Sequence, residues 1–151
     1  MQFDELAVGV TAAITKTITE TDIVMFAGIT GDFNPMHVDA VAATRTRFGG
    51  RVAHGMLSAG LISAVIGMRL PGFGAIYLSQ SLRFTRPVRI GDTVTAEAVV
   101  TALNVEKRRV TLATTCRNQD GETVIEGEAL VLVDPIAAAG QATESQHTAH
   151  V

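Results

Sequence analysis

The sequence predicts an α+β fold, an antiparallel sheet wrapped around one long buried helix, and three observations carry that prediction. Residues 54–72, "HGMLSAGLISAVIGMRLPG", are apolar around the whole circumference of a helix instead of along one stripe, which calls for cover on nearly all sides. The runs "GDTVTAEAVVTAL", "RRVTLATTCRN" and "ETVIEGEALVLV" follow it, rich in Val, Thr and Leu, the last two joined by the turn "QDG". Such runs read as consecutive strands. A helix followed by a meander, with no regular alternation of strand and helix, places helices on one face of an antiparallel sheet.

The elements follow in chain order. Residues 10–18, "VTAAITKTI", put Val10, Ala12 and Ile14 on one face, the period of a first strand. Thr19 and Asp22 have capping-box spacing, and Ile23, Phe26, Ala27 and Ile29 follow at helical spacing. Gly28 and Gly31 shorten that helix, so it should end near Gly31. Asn34 precedes Pro35 and is biased away from helical angles, which predicts a loop or turn from Asp32 to Met36. Asp39 can cap a second short helix ending at Gly49-Gly50. The buried helix stops at Pro71-Gly72. In "IYLSQSLRF" the residues Ile76, Leu78, Leu82 and Phe84 share a face with Gln80, giving about four strands after the helices. Residues 1–134 form one domain, and residues 135–151 read as a small, polar appendage without core pattern.

Composition narrows the function. Apolar residues make up 47% and charged residues 18% of the 151, which suits one globular domain. A net charge of −3 offers no general affinity for nucleic acid. The single cysteine, Cys116, has no internal disulfide partner, which suits the cytoplasm. The start "MQFDELAVG" does not resemble a signal peptide, and no apolar run reaches the ~18 residues of a membrane helix.

The chemistry concentrates in "TGDFNPMHVD", residues 30–39. Asp32 and His37 flank a loop stiffened by Pro35, and a carboxylate and an imidazole converging on one site can hold a water and exchange its protons. The same residues also serve as ordinary turn residues. Asn34 either orients one of the pair or caps the turn. A metal site from Asp32, His37 and Asp39 would need three or four ligands in confirmed geometry, which spacing does not supply. Gly55, at the start of the buried helix, either offers its N–H to a developing oxyanion or allows close packing. Ser58 misses the G-x-S-x-G nucleophile spacing by one residue, and no phosphate-loop ending is present. Arg83, Arg86 and Arg89 are either phosphate contacts or a solvated rim.

The run "FAGITGDFNPMHVDAVAA" resembles the signature of the MaoC-like, (R)-specific enoyl-CoA hydratases, the hydratase 2 family: Phe26, Gly31, Asp32, Asn34, Pro35, His37 and Ala43 match. Met36 replaces an aliphatic residue of that signature. The likeness extends over residues 1–134, through "AHGML", "IYLSQSLRFTRPVRIGDTVTAE" and "GEALVLV", and is greatest to the short, single-domain hydratases that feed polyhydroxyalkanoate synthesis. It implies a hot-dog fold and a homodimer with joined sheets. It also implies an acyl-CoA substrate and no metal or redox cofactor. By the same resemblance Asp32 and His37 are the catalytic pair; which of them is the base in hydration is not readable from the sequence, and the preferred assignment makes Asp32 the base and His37 the acid. Gly55 becomes the oxyanion donor, and Ser63, Ile66 and the last strand line the acyl pocket. The product would be an (R)-3-hydroxyacyl-CoA. Three other readings share these features: an acyl-CoA thioesterase, a dehydratase of carrier-bound substrates, and a non-catalytic acyl-binding subunit.

Overall fold

The computed structural model describes residues 1–136, so most of the expected appendage lies outside the described residues. A 3-10 turn at Phe3–Glu5 precedes strand β1, Thr11–Thr17. Helix α1, Glu20–Thr30, starts where the sequence places it. Thr19 Oγ1 accepts from Asp22 N–H, and Asp22 accepts from Thr19 N–H in return. The Thr19 backbone N–H, foremost among its contacts, holds the Asp22 carboxyl below its ordinary value. Gly31, at φ +78°, ends the helix in a left-handed conformation that suits glycine. Of the four apolar positions expected inward on α1, Ile23 and Ala27 are buried, whereas Ile29 is exposed.

The predicted loop is shorter than expected. Pro35 opens a one-turn helix, α2, at Pro35–Val38, because a proline at the first helical position gives up a hydrogen bond that would be unmade there anyway. A separate turn, α3, spans Ala40–Ala43 under an Asp39 cap, whose carboxylate accepts from the N–H groups of Val41 and Ala42, both at 2.9 Å. It ends at Ala43, well before Gly49-Gly50. The chain then runs through turns to helix α4, Gly55–Met68.

Strands β2 (Ala75–Gln80), β3 (Arg83–Phe84), β4 (Thr93–Asn104), β5 (Arg109–Arg117) and β6 (Thr123–Val133) complete one antiparallel sheet. Its order is β1-β4-β5-β6-β2, with β3 also beside β6. The single strand expected over "IYLSQSLRF" is therefore two short ones. The break is set at Gly127, where any Cβ would collide with the Ser81 carbonyl oxygen; the absent side chain lets the β2–β3 connection lie against β6.

Alternate residues of the central strands face α4: Val94, Ala96, Ala98 and Val100 from β4, Val110, Leu112 and Cys116 from β5. They enclose Ile62, Val65 and Ile66 of the helix, each contributing about 1.5–3 kcal/mol by leaving water. Burial pushes the Cys116 thiol up to about 12. The helix is not covered on nearly all sides, however. Met56, Gly60, Ser63, Gly67 and Met68 stand exposed. The chain's own sheet covers one face of the helix, and hydropathy records only that the other face also shuns water.

Candidate active site

The loop between α1 and α2 folds on its own short-range bonds. The Asp32 carboxylate accepts from Asn34 N–H at 3.2 Å, and Asn34 Oδ1 accepts from Met36 N–H at 3.1 Å. Asn34 thus caps α2 and sets the loop's exit, and it stays off helical angles as a residue before proline should. This turn carries the His37 ring inward, 8% exposed, beneath the exposed Asp32. The Val52 carbonyl accepts from His37 Nδ1–H at 2.7 Å. A carbonyl only accepts, so Nδ1 carries the proton and Nε2 is the nitrogen left for chemistry.

His54 completes the cluster from the other side. It is 3% exposed, stacks on His37 with ring centroids 3.9 Å apart and planes tilted by 30°, and abuts Phe26 at 4.8 Å. Its Nε2–H donates to the Asp32 main-chain carbonyl at 2.9 Å. One donor atom each from Asp32, His37 and His54 lies within 4.8 Å of the others. Such a trio has the ligand types of a cation site. Stacked rings nonetheless direct their in-plane lone pairs side by side, and a metal needs them aimed at one point about 2.0–2.1 Å away. Asp39 is engaged by its cap.

A cavity of about 540 Å³ opens beside this cluster, a size suited to a small-molecule site. His37, Gly55, Met56 and Ser58 line it together with Phe84, Val88, Val124 and Ile125, and Arg47 and Arg86 also border it. Gly55 begins α4, whose first N–H groups lack partners within the helix. A Cβ there would sit 2.7 Å from the Phe84 ring, so glycine holds this wall open.

The structure therefore brings Asp32 to His37, and His37 to the cavity that Gly55 also lines, with Asn34 shaping the loop; Asp32 sits beside that lining and is not part of it. Ser63 lies on the exposed face of α4 and Ile66 in the core; neither borders the cavity. The three arginines separate. Arg86 reaches the cavity and pairs with Glu122 at 3.6 Å. Arg83 Nε donates to Glu126 at 2.9 Å, outside the cavity, and Arg89 donates to the Phe48 carbonyl at 2.6 Å. Sequence reasoning missed His54 and Arg47. Nothing in their spacing announces them, since residues 51–54 reach the site by pairing Val52 N–H with the Met36 carbonyl and Ala53 N–H with the Val88 carbonyl.

A family model described as MaoC like domain matches residues 6–122. The chain belongs to the MaoC-like family. It is 57% identical over 131 residues to an (R)-specific enoyl-CoA hydratase of Rhodospirillum rubrum, covering 87% of this chain and 90% of that one. Identity to a 3-hydroxybutyryl-CoA dehydratase of Methylorubrum extorquens is 52%, covering 91% and 90%. Among solved structures, R-hydratase PhaJ1 from Pseudomonas aeruginosa superposes with a TM-score of 0.84 at 47% identity, covering 89% of this MaoC-like chain and 86% of that one. The (R)-hydratase of Aeromonas caviae involved in PHA biosynthesis gives 0.83 at 44%, covering 85% and 98%. The fold is the hot-dog fold, α+β in class.

Proposed function

We propose that this MaoC-like protein is an (R)-specific enoyl-CoA hydratase, a hydro-lyase adding water syn across trans-2-enoyl-CoA to give (R)-3-hydroxyacyl-CoA, and reversing the reaction. The observation that carries this is the placement of the Asp32 carboxylate within 4.8 Å of a His37 ring nitrogen, beside a cavity walled by His37 and Gly55. Water is too weak an acid to add unaided, so a base must take its proton as the oxygen bonds to the β-carbon. Asp32 takes that proton. The π electrons shift toward the thioester oxygen, where the Gly55 N–H at the start of α4 stabilises the charge. His37, protonated on Nε2, then supplies a proton to the α-carbon. A proton passing from Asp32 to His37 resets the pair. Adding water involves no net oxidation or reduction, so the reaction calls for no redox cofactor.

The protein works as a cytoplasmic homodimer. Strand β2 is an edge strand, and its exposed apolar residues Ile76 and Leu78, with Met56 and Met68 of α4, favour cover by a second copy. That cover would bring Ser63 against an acyl chain. The CoA phosphates meet Arg86, aided by Arg47.

Crotonyl-CoA incubated with wild type, Asp32→Asn and His37→Gln tests the reading. Loss of the enoyl chromophore with (R)-3-hydroxybutyryl-CoA formed, reduced about 10²–10⁴-fold in each variant, supports it. Free thiol without hydroxyacyl product makes the protein a thioesterase. No turnover with any enoyl-CoA leaves an acyl-binding subunit.

A further inference from the structure

We propose that His54 is a positioning residue for the hydration: its ring holds the base, the acid and the oxyanion donor in one register. This rests on the hydratase reading. The residue is tied to all three, to two of them through its ring. Its Nε2–H holds the Asp32 main-chain carbonyl at 2.9 Å across 22 residues of sequence. Its face supports His37 at 3.9 Å. Its backbone is the residue before Gly55, the N-cap of α4. The Phe26 ring also packs against it, at 4.8 Å, so it is held from two directions.

Two features of His54 run against stability and so point to a different purpose. An N-cap position favours Ser, Thr, Asp or Asn, whose side chains bond the first helical N–H groups, yet the His54 side chain makes no such bond. Its Nδ1 is buried without a hydrogen-bond partner among the described residues, although buried polar atoms are nearly always paired. The side chain instead reaches Asp32. Sealed Nδ1 and carbonyl-bound Nε2 leave no route for a proton to the substrate. His54 therefore acts through Asp32 and His37 and is not itself a catalytic residue. The titratable groups facing it are Asp32 and His37, and the next charges at the cavity are Arg47 and Arg86.

His54→Phe keeps an aromatic face for His37 and Phe26 and deletes the donor; His54→Gln keeps an N–H donor and deletes the ring. In His54→Phe, kcat for crotonyl-CoA should fall about 100-fold, the order of loss for an ångström of misplacement. The Kd of saturated butyryl-CoA and the Tm should stay near wild type, and His54→Gln should recover about tenfold of the lost kcat. Crystal structures give a reading independent of turnover: Asp32 should move away from His37 in His54→Phe. The proposal is overturned by a kcat near wild type in His54→Phe, by matched losses of kcat, Kd and Tm, by a His54→Gln no better than Phe, or by an unmoved Asp32. Asp32→Asn assayed alongside separates the two failures. If it stays active, the reading of the site falls; if it is inactive while His54→Phe is active, only this inference falls.

Discussion

Gly55→Ala adds a single methyl group, and the structure states what it meets. The new Cβ would lie 2.7 Å from both Cδ1 and Cε1 of Phe84, where ordinary contact begins at 3.4 Å. The ring must retreat by about 0.7 Å or more to restore van der Waals distance. Phe84 is half exposed, so it can swing, and the stability cost should fall near the low end of overpacking, about 1 kcal/mol. For a chain of this size that is a Tm lower by about 4 °C. The activity cost should be larger. Alanine retains the backbone N–H, so any loss comes from the ring crowding the wall where the thioester oxygen must sit. A misplacement of this size should lower kcat/KM for crotonyl-CoA by about 10–100-fold. Gly55→Ala combined with Phe84→Ala restores the space, and its kcat/KM should exceed that expected from adding the two single effects. Gly55→Ala with wild-type kcat/KM, or a strictly additive double variant, would refute the placement of the thioester against this helix start.

Other outcomes follow from the same geometry. Thr19→Ala should cost about 1 kcal/mol in urea unfolding by removing the α1 cap. Because the Asp22 carboxyl is held below 3.8 in the folded chain, its contribution is fully present above that value and lost as pH falls through the lower folded value. Asp22→Asn should therefore be less stable than wild type at pH 7 and equal to it at strongly acidic pH; a deficit independent of pH would show that the charge is irrelevant. Cys116, buried with its thiol raised to about 12, should resist an aromatic disulfide reagent at pH 8 until the protein is unfolded, and rapid modification of native protein would contradict its burial. Arg47, stacked on Phe48 at 5.9 Å and without a carboxylate partner among the described residues, should on mutation to Ala raise KM for crotonyl-CoA about fivefold and flatten its salt dependence. Arg83→Ala, removing a guanidinium already held by Glu126, should raise it less; the reverse order would move the CoA phosphates to the other side of β3.

Much of this arrangement was legible in residues adjacent in sequence. Thr19 with Asp22, Gly31, Asn34-Pro35 and Asp39 act within a few positions of themselves, so their caps and turns could be read directly and were only adjusted in extent. Pro35 is the instructive adjustment: the dihedral bias that keeps Asn34 out of a helix is the one that lets Pro35 begin one. The strands of the meander were legible too, since Val, Thr and Leu gather in each of β4, β5 and β6 between turn signals. The break between β2 and β3 was not, because its cause, the approach of Ser81 to Gly127, belongs to a different strand.

By itself, then, the sequence determined the local devices, the order of elements, and the joint pattern of Asp32, Asn34, Pro35 and His37 that marks the family. The tertiary structure alone decided three further things. It chose which nitrogen of His37 is free, through a carbonyl 15 residues away. It brought His54 onto Asp32 and Arg47 to the cavity, and it sent Arg83 outside. It left half of α4 uncovered, where the apolar pattern had asked for cover all round. The physical reason is common to all three. Periodicity and capping report forces acting within a turn or a strand, whereas a site is closed by contacts between segments distant in sequence, whose partners only the folded chain selects.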